Sequence, residues 1–485
     1  MISYIIEGHE HEYETQTMIQ VFLPNERYSR VSAPPYEGIC VASVIDQKKL
    51  LCRTSIYRNG KIAAEYKEAV GVDFSERDIM RAVKVAVYGA FLNMGEREQP
   101  WGILTGIRPA KTAGDLLRSG KTAEETLKEL AEVYLMSREK AELCLEVAHF
   151  DVSHNTQKED SISVYVGVPF CPSRCLYCSF TSFPVSRYIK KLPDYFKSLE
   201  REIRQIGNYA AKHVVESVYI GGGTPTSLPP EYLERLLNIL SENINLYDVK
   251  EFTVEAGRPD TVTREILRIL KKYNVSRISV NPQTLNAKTL ETIGRKHTPE
   301  DFFRAYETAR EEGFDNINID LILGLPGETA DDVENTFRQI AVLKPKSVTV
   351  HTLAVKRASE LKTQLSEHKI ADAFEMEKML ALSDKYCRSM GLKPYYMYRQ
   401  KNMIGNFENI GWCADGFDCS YNVKIMEERQ TVVAAGAGSV TKIVGEGNDF
   451  DPRAKIKRLF DVKGIEEYIS KTDDLLERKK LEGVC

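Results

Sequence analysis

Val168-Pro169-Phe170-Cys171-Pro172-Ser173-Arg174-Cys175-Leu176-Tyr177-Cys178 gathers three of the chain's ten cysteines into eight residues. The spacing is C-x3-C-x2-C, and the run follows an apolar stretch, Ser163–Val168, that reads as a strand. A loop this short can fold three sulfurs around one inorganic centre. A cubane of four irons normally takes four thiolates, so three would leave one iron open for a substrate or cofactor. Two other readings compete. Zinc would need a fourth ligand, and the nearest histidines, His154 and His213, stand at no finger-like spacing. Three unrelated core cysteines are the other, and their crowding argues against it.

Working outward, short apolar strands alternate with amphipathic helices over residues 160–385. The strands are expected at Ser163–Val168, Ser217–Ile220, Glu251–Val254, Arg277–Val280, Asn316–Ile322 and Ser347–His351. Helical periodicity fills Pro229–Leu240, Thr263–Tyr273, Asp301–Glu312 and Ala330–Leu343. Six successive βα units imply a parallel sheet with right-handed crossovers, and six rather than eight imply an open barrel. The fold class is therefore α/β, a partial (β/α)6 TIM-like barrel. An α+β domain precedes it at 1–155. There, strands are expected at Thr17–Leu23, Ile39–Ile45, Leu51–Tyr57 and Lys61–Tyr66. Helices are expected from Ser75 to about Leu92, from Thr122, where Thr-Ala-Glu-Glu is a capping box, and from Ser137 to His149. A polar linker, Asp151–Ser161, closes this domain. Residues 386–485 form a C-terminal α+β extension that covers substrate, with no fold readable from pattern alone.

Composition narrows the function. The chain has 485 residues, 42% hydrophobic and 28% charged, with a net charge of −4. Its pI of about 6.2 leaves no basic footprint for nucleic acid. No run of 18 apolar residues occurs, and the N-terminus lacks a basic stretch ahead of an apolar one, so neither a membrane span nor a secretory signal is expected. Scattered cysteines outside the loop argue for a reducing, cytoplasmic compartment.

The cysteine spacing resembles the signature of the radical S-adenosylmethionine (SAM) superfamily. Tyr165-Val166-Gly167-Val168-Pro169-Phe170-Cys171 is similar to the start of the oxygen-independent coproporphyrinogen III oxidase group, although Gly167 stands where a His is usual. The resemblance implies a [4Fe–4S] cluster on Cys171, Cys175 and Cys178. It also implies SAM on the open iron and one-electron cleavage of SAM to a 5′-deoxyadenosyl radical. It implies SAM contacts from Tyr165, from the Gly222-Gly223-Thr224 loop, and from Glu255 to the cofactor's amino group. Gln283, Arg295 and Asp320 would hold ribose or carboxylate groups. Tyr177, by its backbone, and Ile322, by its side chain, would flank the adenine. His351 ends the sixth strand without an assigned role.

Glycines let backbone amides approach a charged group closely, the physical reading of the Gly221–Thr226 loop. Trp101–Lys111, Val350–Ser359, Tyr395–Asn402 and Asn406–Lys442 are similar to the HemZ-type branch, which carries an extra N-terminal domain. That branch implies oxidative decarboxylation of coproporphyrinogen III to protoporphyrinogen IX in haem biosynthesis, fed by a low-potential donor such as flavodoxin or ferredoxin. Phe180 occupies the place of a fourth Cys in the decarboxylating enzymes, as in related haem chaperones, so a haem chaperone or another haem-modifying radical enzyme is the alternative. A cluster-bearing electron-transfer or zinc module is the reading from another class. Arg399, Lys401, Lys356, Arg357, Arg108 and Lys111 are candidate partners for substrate carboxylates. Cys413 and Cys419 are a candidate second cluster site, Cys485 a free tail thiol, and Cys40, Cys52, Cys144 and Cys387 buried or neutral.

Overall fold

The computed structural model describes residues 1–24, 26–71, 75–154, 160–400, 407–445 and 456–484. It divides into two compact units, Met1–Ala148 and His149–Cys485.

The first unit is a five-stranded sheet packed on helices. Its strands are β1 (Ile2–Glu7), β2 (Tyr28–Arg30), β3 (Ile39–Asp46), β4 (Leu51–Arg58) and β5 (Lys61–Ala69), in the order β2-β1-β3-β4-β5. Helix α1 (Glu12–Phe22) crosses from β1 to its parallel neighbour β2. The expected strand at Thr17–Leu23 is thus a helix. Its buried positions, Thr15, Met18, Ile19 and Phe22, follow helical spacing, which a short window read as alternation. Helix α2 (Glu76–Asn93) starts at Ser75, whose hydroxyl accepts from the Asp78 amide, and packs Val87 and Phe91 into the same core as Met18 and Ile19. Helices α3 (Pro109–Arg118), α4 (Ala123–Glu132) and α5 (Arg138–His154) follow. Thr122 and Glu125 form the anticipated capping box. The segment expected to be a linker is helical through His154, because α5 runs on past Asp151.

The second unit is built on β6 (Ser161–Val168), β9 (Val214–Gly222), β10 (Glu251–Glu255), β11 (Arg277–Ser279), β12 (Asn316–Leu323) and β13 (Ser347–Thr352), parallel and in sequential spatial order. Two-residue strands β7 (Phe170–Cys171) and β8 (Phe183–Pro184) pair with each other above β6. Between successive strands lie α6 (Val185–Tyr188) and α7 (Leu192–Ala210), α8 (Pro230–Asn243), α9 (Arg264–Lys272), α10 (Ala287–Thr292) with α11 (Pro299–Glu311), and α12 (Ala330–Leu343). Helix α13 (Ala373–Ser389) follows β13. The six βα units are present as read. Near-continuous burial of β6, β10 and β12 is what helices on a parallel sheet produce. The helical side is keyed by α7, whose Leu192, Phe196, Leu199, Ile203 and Ile206 recur at helical spacing and are fully buried.

Residues beyond 390 extend this sheet at both ends. Strands β14 (Lys393–Arg399) and β15 (Glu408–Cys413) add antiparallel beyond β13. After α14 (Ser420–Glu427), strand β16 (Thr431–Ala435) returns to pair parallel with β6, and β17 (Val440–Val444) and β18 (Ile456–Phe460) continue outward. Helices α15 (Ile465–Ser470) and α16 (Thr472–Leu481) pack on α7. The result is one eleven-stranded sheet with seven parallel strands at its centre. Among the described residues no helix is long and apolar enough to cross a membrane.

Candidate active site

In a parallel α/β barrel the loops at the strand C-terminal ends share one rim. Here that rim encloses a cavity of about 430 Å³, and Cys171, Cys175 and Cys178 line it. All ten residues expected to contact the cofactor, Tyr165, Tyr177, Gly222, Gly223, Thr224, Glu255, Gln283, Arg295, Asp320 and Ile322, line the same cavity. They come from five of the parallel strands or the segments after them, which no linear motif brings together.

The cysteine loop is braced by the glycine loop after β9. The Gly223 amide donates to the Val168 carbonyl (2.8 Å), the Thr224 amide to the Phe170 carbonyl (2.6 Å), and Thr224 Oγ1 lies 3.5 Å from Cys171 Sγ. These two amides therefore fasten the cysteine loop, where the sequence reading had them facing a ligand. Gly222 adopts φ of +106°, open to glycine and strained for other residues. A Cβ at Gly223 would strike the Phe170 carbonyl oxygen and sit 3.0 Å from Cys171 Sγ. Gly223→Ala is accordingly expected to fold yet lose most of its iron after anaerobic reconstitution; full iron content would show that the loop yields.

Burial pushes the Cys171 thiol up to about 11 against the opposing Thr224 contact, and also raises Cys178. The bare Cys171 thiol is protonated here, and a metal must displace its proton to bind. Among the described residues no three His, Cys, Asp or Glu side chains converge tightly enough to share a single metal ion.

On the opposite wall Tyr219 donates to Glu255 Oε1 at 2.6 Å. Burial lifts the Glu255 carboxyl to about 7; the Tyr219 bond opposes this, Asp320 adds to it, and the Gly222 amide and His351 oppose it. Burial also acts to raise Asp320, but His351, 3.8 Å from Oδ2, together with Asn318 and Arg277, holds it below the ordinary carboxylate range. Asn281 and Asn318 donate to Asp320 at 2.7 and 2.6 Å.

Gln283 sits at φ +70°, its backbone pinned to β12 by bonds to Asp320 and Ile322. Among the described residues its side-chain oxygen is buried without a partner, as is Arg295 Nε. Arg295 otherwise donates to the Asn281 and Gly257 carbonyls and lies beside Tyr177 and Cys175. Ile322 and Tyr177 pack in one apolar cluster with Leu176, Ile293 and Leu353. Three sulfurs, two orphaned polar atoms, paired carboxylates and an apolar slot fit an iron–sulfur cluster with a zwitterionic, base-bearing cofactor beside it.

Tyr219, Tyr421 and Arg258 of this wall escaped the sequence reading. Tyr165, Tyr219 and Tyr421 form a stack, with centroids 4.5–6.1 Å apart and interplanar angles of 15–24°. Tyr396 and Tyr398 form a second stack. Arg258, three residues after Glu255, is 2% exposed and reaches Cys175 Sγ at 3.7 Å. Its signal was Gly-Arg-Pro-Asp, a rigid turn that fixes a charged side chain beside the rim.

Of the proposed substrate cations, Lys356 lines the cavity, and its ammonium lies 5.8 Å from the exposed Phe180 ring. Arg357 is exposed, Arg399 is buried at the end of β14 away from the cavity wall, and Lys401 lies outside the described residues. Arg108 and Lys111 belong to the first unit. Among the described residues no third ligand joins Cys413 and Cys419. Both sit in an aromatic core with Tyr395, Tyr396 and Tyr421, burial pushes Cys413 up to about 12, and Cys419 donates to Glu251 at 3.3 Å. Cys40, Cys52, Cys144 and Cys387 are buried, as read, and Cys485 lies outside the described residues.

Residues 165–340 match the Radical SAM superfamily. The oxygen-independent coproporphyrinogen-III oxidase-like protein HemZ of Bacillus subtilis is 37% identical over 393 residues, spanning 79% of this chain and 78% of HemZ. The chain belongs to this family of radical SAM proteins. Members of the radical SAM superfamily use a [4Fe–4S] cluster and SAM, and the cysteine loop provides three thiolates for the cluster. The haem chaperone HemW of B. subtilis is 37% identical over 197 residues, 40% of this chain and 51% of HemW. Escherichia coli coproporphyrinogen III oxidase (HemN) shares the fold, with a TM-score of 0.52 and 22% identity over 67% of this chain and 72% of that one.

Proposed function

We propose that this radical SAM protein oxidatively decarboxylates two propionates of coproporphyrinogen III, giving protoporphyrinogen IX. The observation that carries the reading is that the three thiols and an aromatic wall bearing Lys356 open on one cavity. Such a wall suits a ring compound with acidic side chains. The length-wide similarity to HemZ supports the oxidase-like reading over the chaperone, whose similarity covers about half of HemW.

In this reading Cys171, Cys175 and Cys178 hold the cluster. Glu255, Gln283, Arg295, Asp320, the Gly222–Thr224 loop and Tyr165 hold SAM, with Tyr177 and Ile322 beside its base. When bound, cluster and cofactor supply a carbon-centred radical. Each propionate gives up one hydrogen atom to that radical, releases carbon dioxide and passes one electron to an external electron acceptor to become a vinyl group. Lys356 fixes a carboxylate at the mouth, and the tyrosine stacks keep water from the reacting carbon. A low-potential carrier such as flavodoxin or ferredoxin feeds the cluster. Among the described residues no cysteine is joined in a disulfide, which fits a reducing cytoplasm.

Anaerobic reconstitution with iron and sulfide, followed by SAM, reductant and coproporphyrinogen III, tests the proposal. Vinyl product with 5′-deoxyadenosine is expected. Tight haem binding with neither product would replace this reading with the chaperone. A pH series tests the role of Glu255. Its ionised form receives the cofactor's ammonium, so SAM binding should weaken below about pH 7. Tyr219→Phe removes a donor that favours the carboxylate, so the binding midpoint should move to higher pH. An unchanged or lower midpoint would detach Glu255 from binding.

A further inference from the structure

We propose that Arg258 is a positioning residue that raises the reduction potential of the iron–sulfur cluster through Cys175; this rests on the cluster assignment above. Arg258 Nη1 donates to Cys175 Sγ at 3.7 Å and to Ser173 Oγ at 3.3 Å, so it addresses the cysteine loop at two points. Its other edge is held by Asp260, with Nε to Oδ1 at 3.0 Å and Nη2 to Oδ2 at 3.2 Å. That bidentate grip fixes the guanidinium plane and leaves Nη1 aimed at the sulfur.

The turn beneath is rigid. Pro259 restricts the backbone, the Thr261 amide and hydroxyl donate to the Arg258 carbonyl at 2.9 and 2.8 Å, and Thr261 Oγ1 lies 2.7 Å from Thr226 Oγ1. Glycine loop, cysteine loop and arginine are thus tied together. The charges of the pair are unequally screened. The Arg258 side chain is 3% exposed, whereas that of Asp260 is 30% exposed, so solvent weakens the carboxylate's field more than the guanidinium's.

Hydrogen bonds to the sulfurs and local charge set iron–sulfur potentials. A cation donating to a cluster thiolate favours the reduced form, because reduction adds negative charge there. A low-potential donor can then reduce the cluster more readily. The hydrogen bond goes to Cys175, while the field of Arg258 also reaches Cys171, and Arg295 lies on Cys175 as well.

The test is a redox titration of the reconstituted protein without substrate, following the reduced cluster by electron paramagnetic resonance. At the ambient potential that half-reduces the wild type, Arg258→Gln should lower the reduced-to-oxidised ratio at least tenfold, a shift of 59 mV for a one-electron couple. Arg258→Lys keeps the charge but loses the two-point hold on Asp260, and should lower the ratio between twofold and tenfold. A wild-type ratio in either variant, with full iron and sulfide, would overturn the proposal. If Arg258→Gln does not retain its cluster, Arg258→Lys decides. Wild-type protein that takes up no cubane would instead overturn the cluster assignment itself.

Discussion

Cys175→Ser is expected to reduce SAM cleavage to background and to abolish the brown colour of the anaerobically reconstituted protein. Serine is isosteric, but its hydroxyl is a poor iron ligand at neutral pH, where a metal-bound cysteine is a thiolate. Cys175 is the most buried of the three, 8% exposed, and its loop is tied down on both sides. The Leu176 amide donates to the Ile293 carbonyl, and the Leu361 amide to the Leu176 carbonyl. The backbone should therefore survive the substitution, and circular dichroism should stay native while iron is lost. Wild-type 5′-deoxyadenosine yield in this variant would remove the thiol loop from the chemistry.

Lys479→Met is expected to destabilise the second unit by about 3–5 kcal/mol, the scale for removing one partner of a buried charge network. Lys479 has no solvent exposure. It donates to Glu202, to Asp461 at 2.9 Å and to the Ala434 carbonyl at 2.6 Å. Tyr468 also donates to Glu202, the Gly436 amide donates to Glu202 at 2.8 Å, and Ser439 donates to Asp461 at 2.6 Å. Methionine keeps the volume but leaves two carboxylates buried together.

Burial and then Glu202 already push Asp461 up to about 7 despite Lys479. Without the lysine that pKa rises further. A carboxyl whose folded-state pKa exceeds its unfolded value of 3.8 binds its proton preferentially in the native state, so stability falls as pH rises through the window above 3.8. Part of the loss should therefore return between pH 8 and pH 5. Chemical denaturation at both values, followed by a probe in the second unit, measures this. An equal loss at both would place the defect in packing.

The cysteine loop and the six βα units were legible because their signals are local. Three thiols in eight residues need no tertiary knowledge, and strands buried on both faces read as unbroken apolar runs. The rim residues were legible only through family resemblance, since Glu255 or Gln283 alone is an ordinary polar residue. Arg258 was missed for the reason that makes it effective: a single buried arginine has no period or spacing, and its meaning comes from a sulfur 83 positions away. Strands β14 to β18 were unreadable because Tyr395–Tyr398 gives no polar–apolar alternation and because β16 pairs with a strand some 270 residues earlier. Thr17–Leu23 failed for a different reason: seven residues are too few to separate a period of two from one of 3.6.

That last pairing also governs when the molecule can be finished. Strand β6, which launches the cysteine loop, has β9 on one side and must wait for Thr431–Ala435 on the other. During synthesis that edge stays open until Thr431–Ala435 has emerged, long after the three thiols are available. Ribosome-bound fragments ending before residue 431 are therefore expected to carry iron more loosely than the full chain, which iron analysis of stalled chains would check.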